Sequence, residues 1–332
     1  MKKFLRQVRS IPSGSVILYS LGRPAFSLAK ALQAQIAQRV RRNGGTCLYD
    51  GIRLSFPRDV GIGFLSEISW HGVQGFEPHT WYTLRRLIQR SGTFIDIGAN
   101  ICFYSVLAKR IAPQIDVLSF EPVPALCDQS RKFHASNGVP ANVYQIAISD
   151  TDGRATLYQP DEIETAETAA STLAAASWQA RKAHREIIVE TAKLDTFLSD
   201  RTLHSPVTIK IDVEDHEAAV LRGAADTIRK FKPFVVCEIL PRPVRAAGSI
   251  GSEAIPDSEQ HGNAATVTML GAMNYAVFAI TSVGYFRFLA GDFATERRFT
   301  DFLLLPNEWV DNRRGYFADL DQILAELPRV KS

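Results

Sequence analysis

The chain has 332 residues, of which 46% are hydrophobic and 22% are charged. This composition is close to the globular average and excludes general disorder, and the length suits one large α/β domain with extensions or two smaller domains. The net charge of +3 hides a division, because residues 1–49 contain nine basic and no acidic side chains while the rest of the chain carries −6. A basic head therefore precedes a mildly acidic body.

Residues 1–45 are predicted to form a basic helical extension. Apolar residues recur at near-helical spacing over 24–42, and the run Asn43-Gly44-Gly45 ends the pattern. The segment is either a helix that docks on the main domain or a basic amphipathic helix that makes peripheral contact with an anionic membrane at its inner face. Both interpretations stay open at this stage.

Residues 46–90 are predicted to be a lead-in segment that packs on the main domain at 91–310. The segment contains short strand-like pieces and then a helix from Pro78 onward, since proline suits the first turn of a helix. In the domain, apolar runs bounded by turn residues predict buried strands, and helical patterns separate them. The predicted strands are 94–98, 117–120, 142–149, 207–213 and 234–240, and the predicted helices are 101–111, 124–136 and 216–231.

The remaining segments complete this domain and end the chain. Strands that alternate with helices predict an α/β fold with a doubly wound, mainly parallel sheet. The remaining predictions are β-rich pieces at 155–158 and 187–191, an exposed insertion at 242–262, a helix through Met269, strands at 275–280 and 302–305, and a C-terminal helical tail at 311–332.

The start of the chain and its cysteines bear on its location. The positively charged start is not followed by an unbroken apolar segment, so we expect no cleavable signal peptide, and no apolar run reaches the ~18 residues of a spanning helix. The cysteines form no CxxC motif or Cys/His cluster, which disfavours disulfides and zinc and favours a reducing cytoplasm. They are Cys47, Cys102, Cys127 and Cys237.

An acid stands at the carboxyl-terminal end of each of the first two predicted strands of the domain. Ligands of open parallel sheets bind at the carboxyl ends of the strands, where Asp96 precedes Gly98 and Glu121 ends the second strand. Asp96 suits a cationic ligand such as the amino acid end of S-adenosylmethionine, and Glu121 can accept hydrogen bonds from ribose hydroxyls. NAD fits poorly, because the glycine pattern of dinucleotide binding is missing after Gly98. The alternative is a helix-capping Asp96 and a Glu121 in a surface ion pair.

Several motifs occur in a fixed order: GTFIDIGANICFYS, LSFEPVP, AISD-x-x-G, VETAKLDTFL, IKIDVEDHEAAVLRGA and VVCEI. Their succession resembles the FkbM-type S-adenosylmethionine-dependent methyltransferases over about residues 70–305. The resemblance implies a Rossmann-like methyltransferase sheet of seven strands with the last strand antiparallel. It also implies O-methylation of a hydroxyl on a sugar, a glycolipid or cell-envelope glycan, or a polyketide-type metabolite, so the expected partner is a small-molecule or glycan acceptor.

The resemblance also assigns roles by position. The residues assigned to S-adenosylmethionine are Asp96, Gly98 and Asn100 at the methionine end, Glu121 at the ribose, Ala147 near the adenine and Glu77 at one side of the pocket. By resemblance, Glu217 lies beside the methyl group and Glu238 ends the fifth strand, and both are expected near the acceptor. From their chemistry, Trp70 and His71 are also expected near the acceptor, with His71 a more distant candidate for the base. Stacking of Trp70 or Phe76 on a sugar is one interpretation, and packing in the core is the plainer one.

A hydroxyl becomes an effective nucleophile when a positioned base removes its proton. Asp212 and Glu214 are the leading candidates for this base, and His216 is the third. In a strand, residues 212 and 214 face the same side, so one pocket could use both. The same pair could hold a divalent metal, which we do not predict. The alternatives are an exposed, inert His216 and a Glu217 that only serves a helix N-terminus.

Two positions depart from the family pattern, since Cys102 and Asp215 stand where glycine is usual. Cys102 is tolerated if the backbone is helical there, whereas Asp215 adds charge beside the acceptor or caps the next helix. These departures leave a degenerate methyltransferase-fold scaffold as one alternative function. A nucleic-acid methyltransferase is the other, although the acidic body argues against a nucleic-acid partner.

Overall fold

The computed structural model describes residues 43–58, 60–61, 68, 71–159, 173, 185–239, 266, 269–288, 299–310 and 316–317. Three predictions fall on other parts of the chain and lie outside the described residues: the helix over 24–42, the insertion at 242–262, and the acceptor contact of Trp70.

Strands and helices alternate through most of the described chain. Prolines stand in the first turn of the first and third helices, where a missing backbone N–H costs no hydrogen bond. In order, the elements are β1 (Gly45–Tyr49), β2 (Ile52–Phe56), α1 (Pro78–Ile88), β3 (Thr93–Ile97), α2 (Phe103–Ile111), β4 (Asp116–Phe120), α3 (Pro124–Ser136), β5 (Val143–Tyr144), β6 (Ala147–Ile148), β7 (Gly153–Gln159), β8 (Arg185–Ala192), α4 (Leu194–Phe197), β9 (Val207–Ile211), α5 (Glu217–Gly223), α6 (Ala225–Phe231), β10 (Phe234–Glu238), β11 (Tyr275–Thr281), β12 (Gly284–Phe288), β13 (Asp301–Pro306) and β14 (Tyr316–Phe317).

The main sheet has the order β14-β12-β11-β13-β10-β9-β3-β4-β5. β5, β4, β3, β9 and β10 run parallel, and β13 runs antiparallel between β10 and β11. The predicted doubly wound sheet is confirmed, with β13 as the antiparallel last strand of the seven expected. The described residues give this sheet nine strands rather than seven, because β12 forms a hairpin with β11 and β14 pairs with β12. Tyr316–Phe317 are therefore strand inside the segment predicted as a helical tail.

Two predicted elements are divided in the structure. The strand expected over 142–149 is split, because β5 pairs with β4 in the main sheet while β6 pairs with β8 in a separate three-stranded sheet, β6-β8-β7. The helix expected over 216–231 is split into α5 and α6 at Ala224. At the end of α5, a Cβ on Gly223 would stand 1.8 Å from the Ser149 carbonyl oxygen, so glycine permits this close contact.

Each face of the main sheet buries a hydrophobic cluster. Phe94 and Ile95 are adjacent in β3 and lie in different clusters, because successive side chains of a strand point to opposite faces. The Phe94 cluster packs against α1, α2 and α3, and the Ile95 cluster packs against α4, α5 and α6. All five residues of β3 and of β9 are buried, as expected where helices cover both faces of a sheet.

The β1–β2 hairpin belongs to the same body as the sheet. Asp50 and Gly51, which connect the two strands, both have positive φ, as a tight two-residue hairpin turn requires. Tyr49 packs against Trp81 of α1 and Phe103 of α2, with ring centroids 5.8 and 5.1 Å apart. The lead-in segment therefore contributes to the core that supports the ends of β3 and β4.

Candidate active site

A cavity of about 260 Å³ lies at the carboxyl ends of β3, β4, β9 and β10. β3 stands between β4 and β9 in the sheet, so the chain changes direction across the sheet at this point, which is where ligands of doubly wound folds bind. Ten of the predicted site residues line the cavity: Glu77, Asp96, Gly98, Asn100, Glu121, Ala147, Asp212, Glu214, His216 and Glu238.

Asp96 is the second-last residue of β3, with only 1% of its surface exposed. Its Oδ2 accepts a 2.6 Å hydrogen bond from Ser105 Oγ, and Ser105 is in turn 2.8 Å from Ser119 Oγ. The backbone N–H of Ser105, in the first turn of α2, also interacts with this carboxylate, so the helix-capping alternative holds in part. Asp96 Oδ1, however, is buried and has no hydrogen-bond partner among the described residues.

The loop after β3 is held by the ends of its two neighbouring strands. The backbone N–H groups of Gly98 and Ala99 donate to the Phe120 carbonyl at 3.0 and 2.9 Å, and the Asp212 N–H donates to the Ile97 carbonyl at 3.0 Å. Gly98 has φ +76, and a Cβ there would stand 1.7 Å from the Asp212 carbonyl oxygen. The contact that requires glycine is therefore with the backbone after β9.

Glu121 is buried and joins two loops at the edge of the cavity. Its Oε2 accepts a 2.9 Å hydrogen bond from the Asn100 N–H, and its Oε1 accepts one of 2.9 Å from the Val123 N–H. Burial raises the pKa of Glu121 to about 8. The surface ion-pair alternative therefore does not hold, and each carboxylate oxygen keeps a second lone pair that can meet a ligand.

Lys210 is the cavity residue that the sequence argument missed. It lies on β9, is 5% exposed, and places Nζ 2.7 Å from Asp212 Oδ2. Burial would raise the pKa of Asp212, but the Lys210 ammonium and a hydrogen bond with Glu238 hold it below its usual value. Asp212 Oδ2, a possible ligand in the divalent-metal interpretation of Asp212 and Glu214, is thus already paired with the Lys210 ammonium group. A lysine inside the apolar run Val207–Ile211 was the available signal.

Glu238 ends β10 and shares a hydrogen bond with Asp212. Burial and the adjacent Asp212 carboxylate raise the pKa of Glu238 far above its usual value. Glu238 therefore carries the proton of this pair at neutral pH and donates it to the ionised Asp212.

Glu77 closes one side of the cavity from the start of α1. Its Oε2 accepts a 2.6 Å hydrogen bond from the Tyr104 hydroxyl, and burial raises its pKa to about 7. The Tyr104 ring centroid lies 5.1 Å from Lys210 Nζ. Phe76 also lines the cavity and packs edge-on against Phe103, with centroids 5.4 Å apart.

The segment after β9 departs from the strand geometry expected of it. β9 ends at Ile211, and Glu214 and Asp215 have φ of +53 and +76. The strand argument that put 212 and 214 on one face is therefore wrong, although both residues line the cavity.

His216 is half-buried, and its Nε2 lies 3.0 Å from Ser149 Oγ. Burial lowers the pKa of His216 to about 4, so the ring is neutral at pH 7.

Some of the residues predicted to contact the acceptor line the cavity, and others do not. Glu238 lines the cavity, whereas Glu217 and His71 are not among the described residues that line it. Glu217 is buried at the start of α5, where its Oε1 accepts a 3.0 Å hydrogen bond from the Asp215 N–H. This contact matches the alternative in which Glu217 serves the helix N-terminus.

Both departures from the family glycines fall on left-handed backbone. Cys102 has φ +58 and ψ +38, and Asp215 has φ +76. The condition for tolerating Cys102, a right-handed helical backbone, is not met. Such a conformation costs a non-glycine residue about 1–2 kcal/mol, so glycine would relieve strain at both positions.

The wall around Ala147 is apolar. Ile146 and Ile148 line the cavity beside it, together with Phe120 and Leu157. Leu157 belongs to β7, so the three-stranded sheet closes this side of the cavity. An apolar wall of this kind suits a flat aromatic ring.

The described part of the chain has neither a cluster of potential metal ligands nor a helix that could span a membrane. Its His, Cys, Asp and Glu side chains form no group of three or more that could hold a metal ion. Within the same residues, no helix has the length and apolar character needed to cross a membrane.

The strand order, the antiparallel β13 and the acid-lined cavity beside β3 define a Rossmann-like methyltransferase fold. Residues 96–266 match the family described as the methyltransferase FkbM domain. The match covers just over half of the chain, which belongs to this family.

Three individual proteins are also similar to parts of this chain. "Methyltransferase 1" of Beauveria bassiana (strain ARSEF 2860) is 29% identical over 146 residues, which are 40% of this chain and 58% of that protein. The chain thus spans little more than half of this relative. The crystal structure of methyltransferase FkbM from Methylobacillus flagellatus KT aligns at a TM-score of 0.34 with 14% identity over 82% of this chain and 57% of that one. Precorrin-6y C5,15-methyltransferase from Geobacter metallireducens GS-15 aligns at 0.34 with 12% identity, over 68% and 85%.

Proposed function

We propose that the protein is an S-adenosylmethionine-dependent O-methyltransferase. The observation that carries this proposal is the buried Asp96 Oδ1, which has no hydrogen-bond partner among the described residues. A buried carboxylate oxygen without a partner is costly, and a cationic ammonium group of a ligand would remove that cost. The amino acid end of S-adenosylmethionine provides such a group.

The other cavity residues fit the rest of this cofactor. Glu121 has lone pairs left for ribose hydroxyls, and the apolar wall at Ala147 and Ile148 suits the adenine ring. When bound, S-adenosylmethionine supplies a sulfonium methyl group whose transfer leaves the C–S electron pair on sulfur. The protein's own share of the chemistry is to orient the acceptor and to receive its proton.

Asp212 is the residue that we assign to proton acceptance. It lines the cavity and is held in its ionised form by Lys210 at 2.7 Å. A hydroxyl acceptor needs such a group, because it is a weak nucleophile until its proton is removed. The neutral His216 is the second candidate, since its ring can accept a proton and also lines the cavity.

The acceptor class that we propose is a hydroxyl on a sugar, a glycolipid or cell-envelope glycan, or a polyketide-type metabolite. We also propose a cytoplasmic location for the reaction. The support for both comes from the family motifs and from the scattered cysteines, of which the described Cys102, Cys127 and Cys237 are buried and free.

Isothermal titration calorimetry with S-adenosylmethionine tests the cofactor assignment. We expect Asp96→Asn to weaken binding about tenfold to 100-fold, since one charge-assisted hydrogen bond is lost. The control is Asp128→Asn, because the Asp128 carboxylate is 70% exposed and pairs with Arg131 on the surface. Unchanged affinity in Asp96→Asn would contradict the pocket assignment.

A methyl-transfer screen with radiolabelled cofactor tests the reaction. The acceptors are neutral glycans, glycolipids and polyketide alcohols, with nucleic acid as the comparison. Labelled methyl ether in a product supports O-methylation. Cofactor binding without transfer to any acceptor would favour the scaffold alternative, and labelled nucleic acid would overturn the acceptor class.

A further inference from the structure

Lys210 lies between two acids, Asp96 within β3 and Asp212 directly after β9. It pairs with Asp96 in the register between these strands, and Asp96 pairs with Ser119 on β4. These three side chains therefore form a polar row across one face of the sheet. Lys210 extends from this row to Asp212 Oδ2 at 2.7 Å.

The surroundings of Lys210 are strongly acidic. Among the described residues that line the cavity, Lys210 is the only lysine or arginine. The titratable groups that face Lys210 or Asp212 come from every element around them: Glu77 before α1, Asp96 on β3, Tyr104 on α2, Glu121 after β4, Glu217 on α5, Cys237 and Glu238 on β10, and Asp301 on β13.

In this arrangement, the single Lys210 ammonium group stabilises the ionised form of several buried carboxylates. A buried charge without a partner is expensive, and a carboxyl group in that situation takes up a proton instead. Without the Lys210 ammonium, Asp212 would have only Glu238 and other acids around it. Asp212 would then hold its own proton, and no group at this position could accept one from a hydroxyl.

We propose that Lys210 is a positioning residue for methyl transfer: its ammonium keeps Asp212 ionised and oriented toward the cavity, while Glu238 retains the proton that the two acids share. This proposal rests on the proposed function, because it assigns the proton of the acceptor hydroxyl to Asp212. Because Lys210 also pairs with Asp96 across the sheet, cofactor affinity has to be measured separately from kcat.

The test compares Lys210→Met with Lys210→Arg. Lys210→Met keeps most of the side-chain length and removes the charge, whereas Lys210→Arg keeps the charge. We expect Lys210→Met to lower kcat at pH 7 at least about tenfold and to change the affinity for S-adenosylmethionine by a smaller factor. We expect the acid limb of its pH profile to move to higher pH and Lys210→Arg to restore part of kcat. Lys232→Met is the matched control, because Lys232 pairs with Glu308 at an exposed site.

A spectroscopic readout makes the test independent of turnover. The infrared C=O band of protonated carboxyl groups should gain intensity at pH 7 in Lys210→Met and lose that gain in the double variant with Asp212→Asn. An unmoved acid limb together with an unchanged infrared band would overturn the proposal. Weakened cofactor binding in Lys210→Met, equal to its loss of kcat, would show a general structural role instead. If the wild type neither binds the cofactor nor transfers methyl, the proposed function fails while the infrared result still reports on Lys210.

Discussion

Gly98 lies so close to Asp212 that a Cβ at position 98 would stand 1.7 Å from the Asp212 carbonyl oxygen. This contact joins the loop after β3, which includes the proposed cofactor residues Gly98 and Asn100, to the segment after β9, which includes the proposed proton acceptor. The two halves of the site are thus held at a distance set by backbone atoms. Any larger residue at 98 must separate them.

We expect Gly98→Ala to lower the free energy of unfolding by more than about 2 kcal/mol and to abolish binding of S-adenosylmethionine. The control is Gly138→Ala, because Gly138 has a similar φ of +65 but nothing within 4 Å of its Cβ position. Urea denaturation and calorimetry on both variants separate the clash from the left-handed strain. Equal losses in the two variants would show that the contact with Asp212 has no effect.

Cys102→Gly should stabilise the protein by about 1 kcal/mol or less, because relief of the left-handed backbone exceeds the loss of one buried sulfur. Cys127→Gly is the control, since Cys127 is equally buried but lies within the helix α3. There glycine removes a side chain and weakens the helix, so we expect a loss of stability. Denaturation midpoints measure both changes, and a destabilised Cys102→Gly would refute the strain argument.

Glu217 should make stability fall as pH rises. Burial raises its pKa in the folded protein to about 8, whereas an unfolded chain titrates near 4.3. Between these values the folded state binds the extra proton, so raising the pH through this window favours unfolding. Glu217→Gln keeps an oxygen acceptor for the Asp215 N–H and removes the titration.

We therefore expect Glu217→Gln to lose less stability than wild type between about pH 5 and about pH 9, at about 1.4 kcal/mol for each unit of pKa difference. Urea unfolding at the two pH values gives this comparison. Glu190→Gln, on an exposed position of β8, is the control and should follow wild type. The same slope in wild type and Glu217→Gln would contradict the assignment.

Binding of S-adenosylmethionine should release protons at pH 7. Burial raises the pKa of Glu77 to about 7 and that of Glu121 to about 8, so both are partly protonated before a cation enters. A cationic ligand favours the carboxylate form, and affinity should therefore rise from about pH 6 to about pH 8. Calorimetry in buffers of different ionisation enthalpy counts the protons, and Glu77→Gln should reduce the number. Proton uptake would contradict the prediction.

The basic head can be tested apart from the catalytic site. Residues 1–43, which precede β1, contain all nine basic side chains of the head. We expect their deletion to reduce co-sedimentation with anionic vesicles, because each lysine or arginine near such a surface contributes about 1 kcal/mol. Vesicles of neutral lipid are the control. An unchanged bound fraction would favour the helix that docks on the main domain.

Much of the fold follows from local patterns. Apolar runs ending in turns place β3, β4, β9 and β10, and their carboxyl ends carry Asp96, Glu121, Asp212 and Glu238. Since parallel strands bring their carboxyl ends together, the strand pattern alone predicts that these four acids lie at one edge of the sheet. The hairpin strand β12 was missed, because its five residues are stable as a strand only when β11 is beside them.

Long-range contacts determine the hydrogen-bond partners and the charge neighbours of these acids. Hydrophobic periodicity and turn residues predict on which face, or at which end, of a helix or strand a residue lies. Both signals depend only on residues that are near each other in the chain. The partners of a polar atom come from distant segments: Lys210 acquires its role from Asp96 and Asp212 around it, and Glu121 uses both oxygens on backbone N–H groups. Only the packed structure reveals that Asp96 Oδ1, alone among these carboxylate oxygens, is buried without a partner in the described residues.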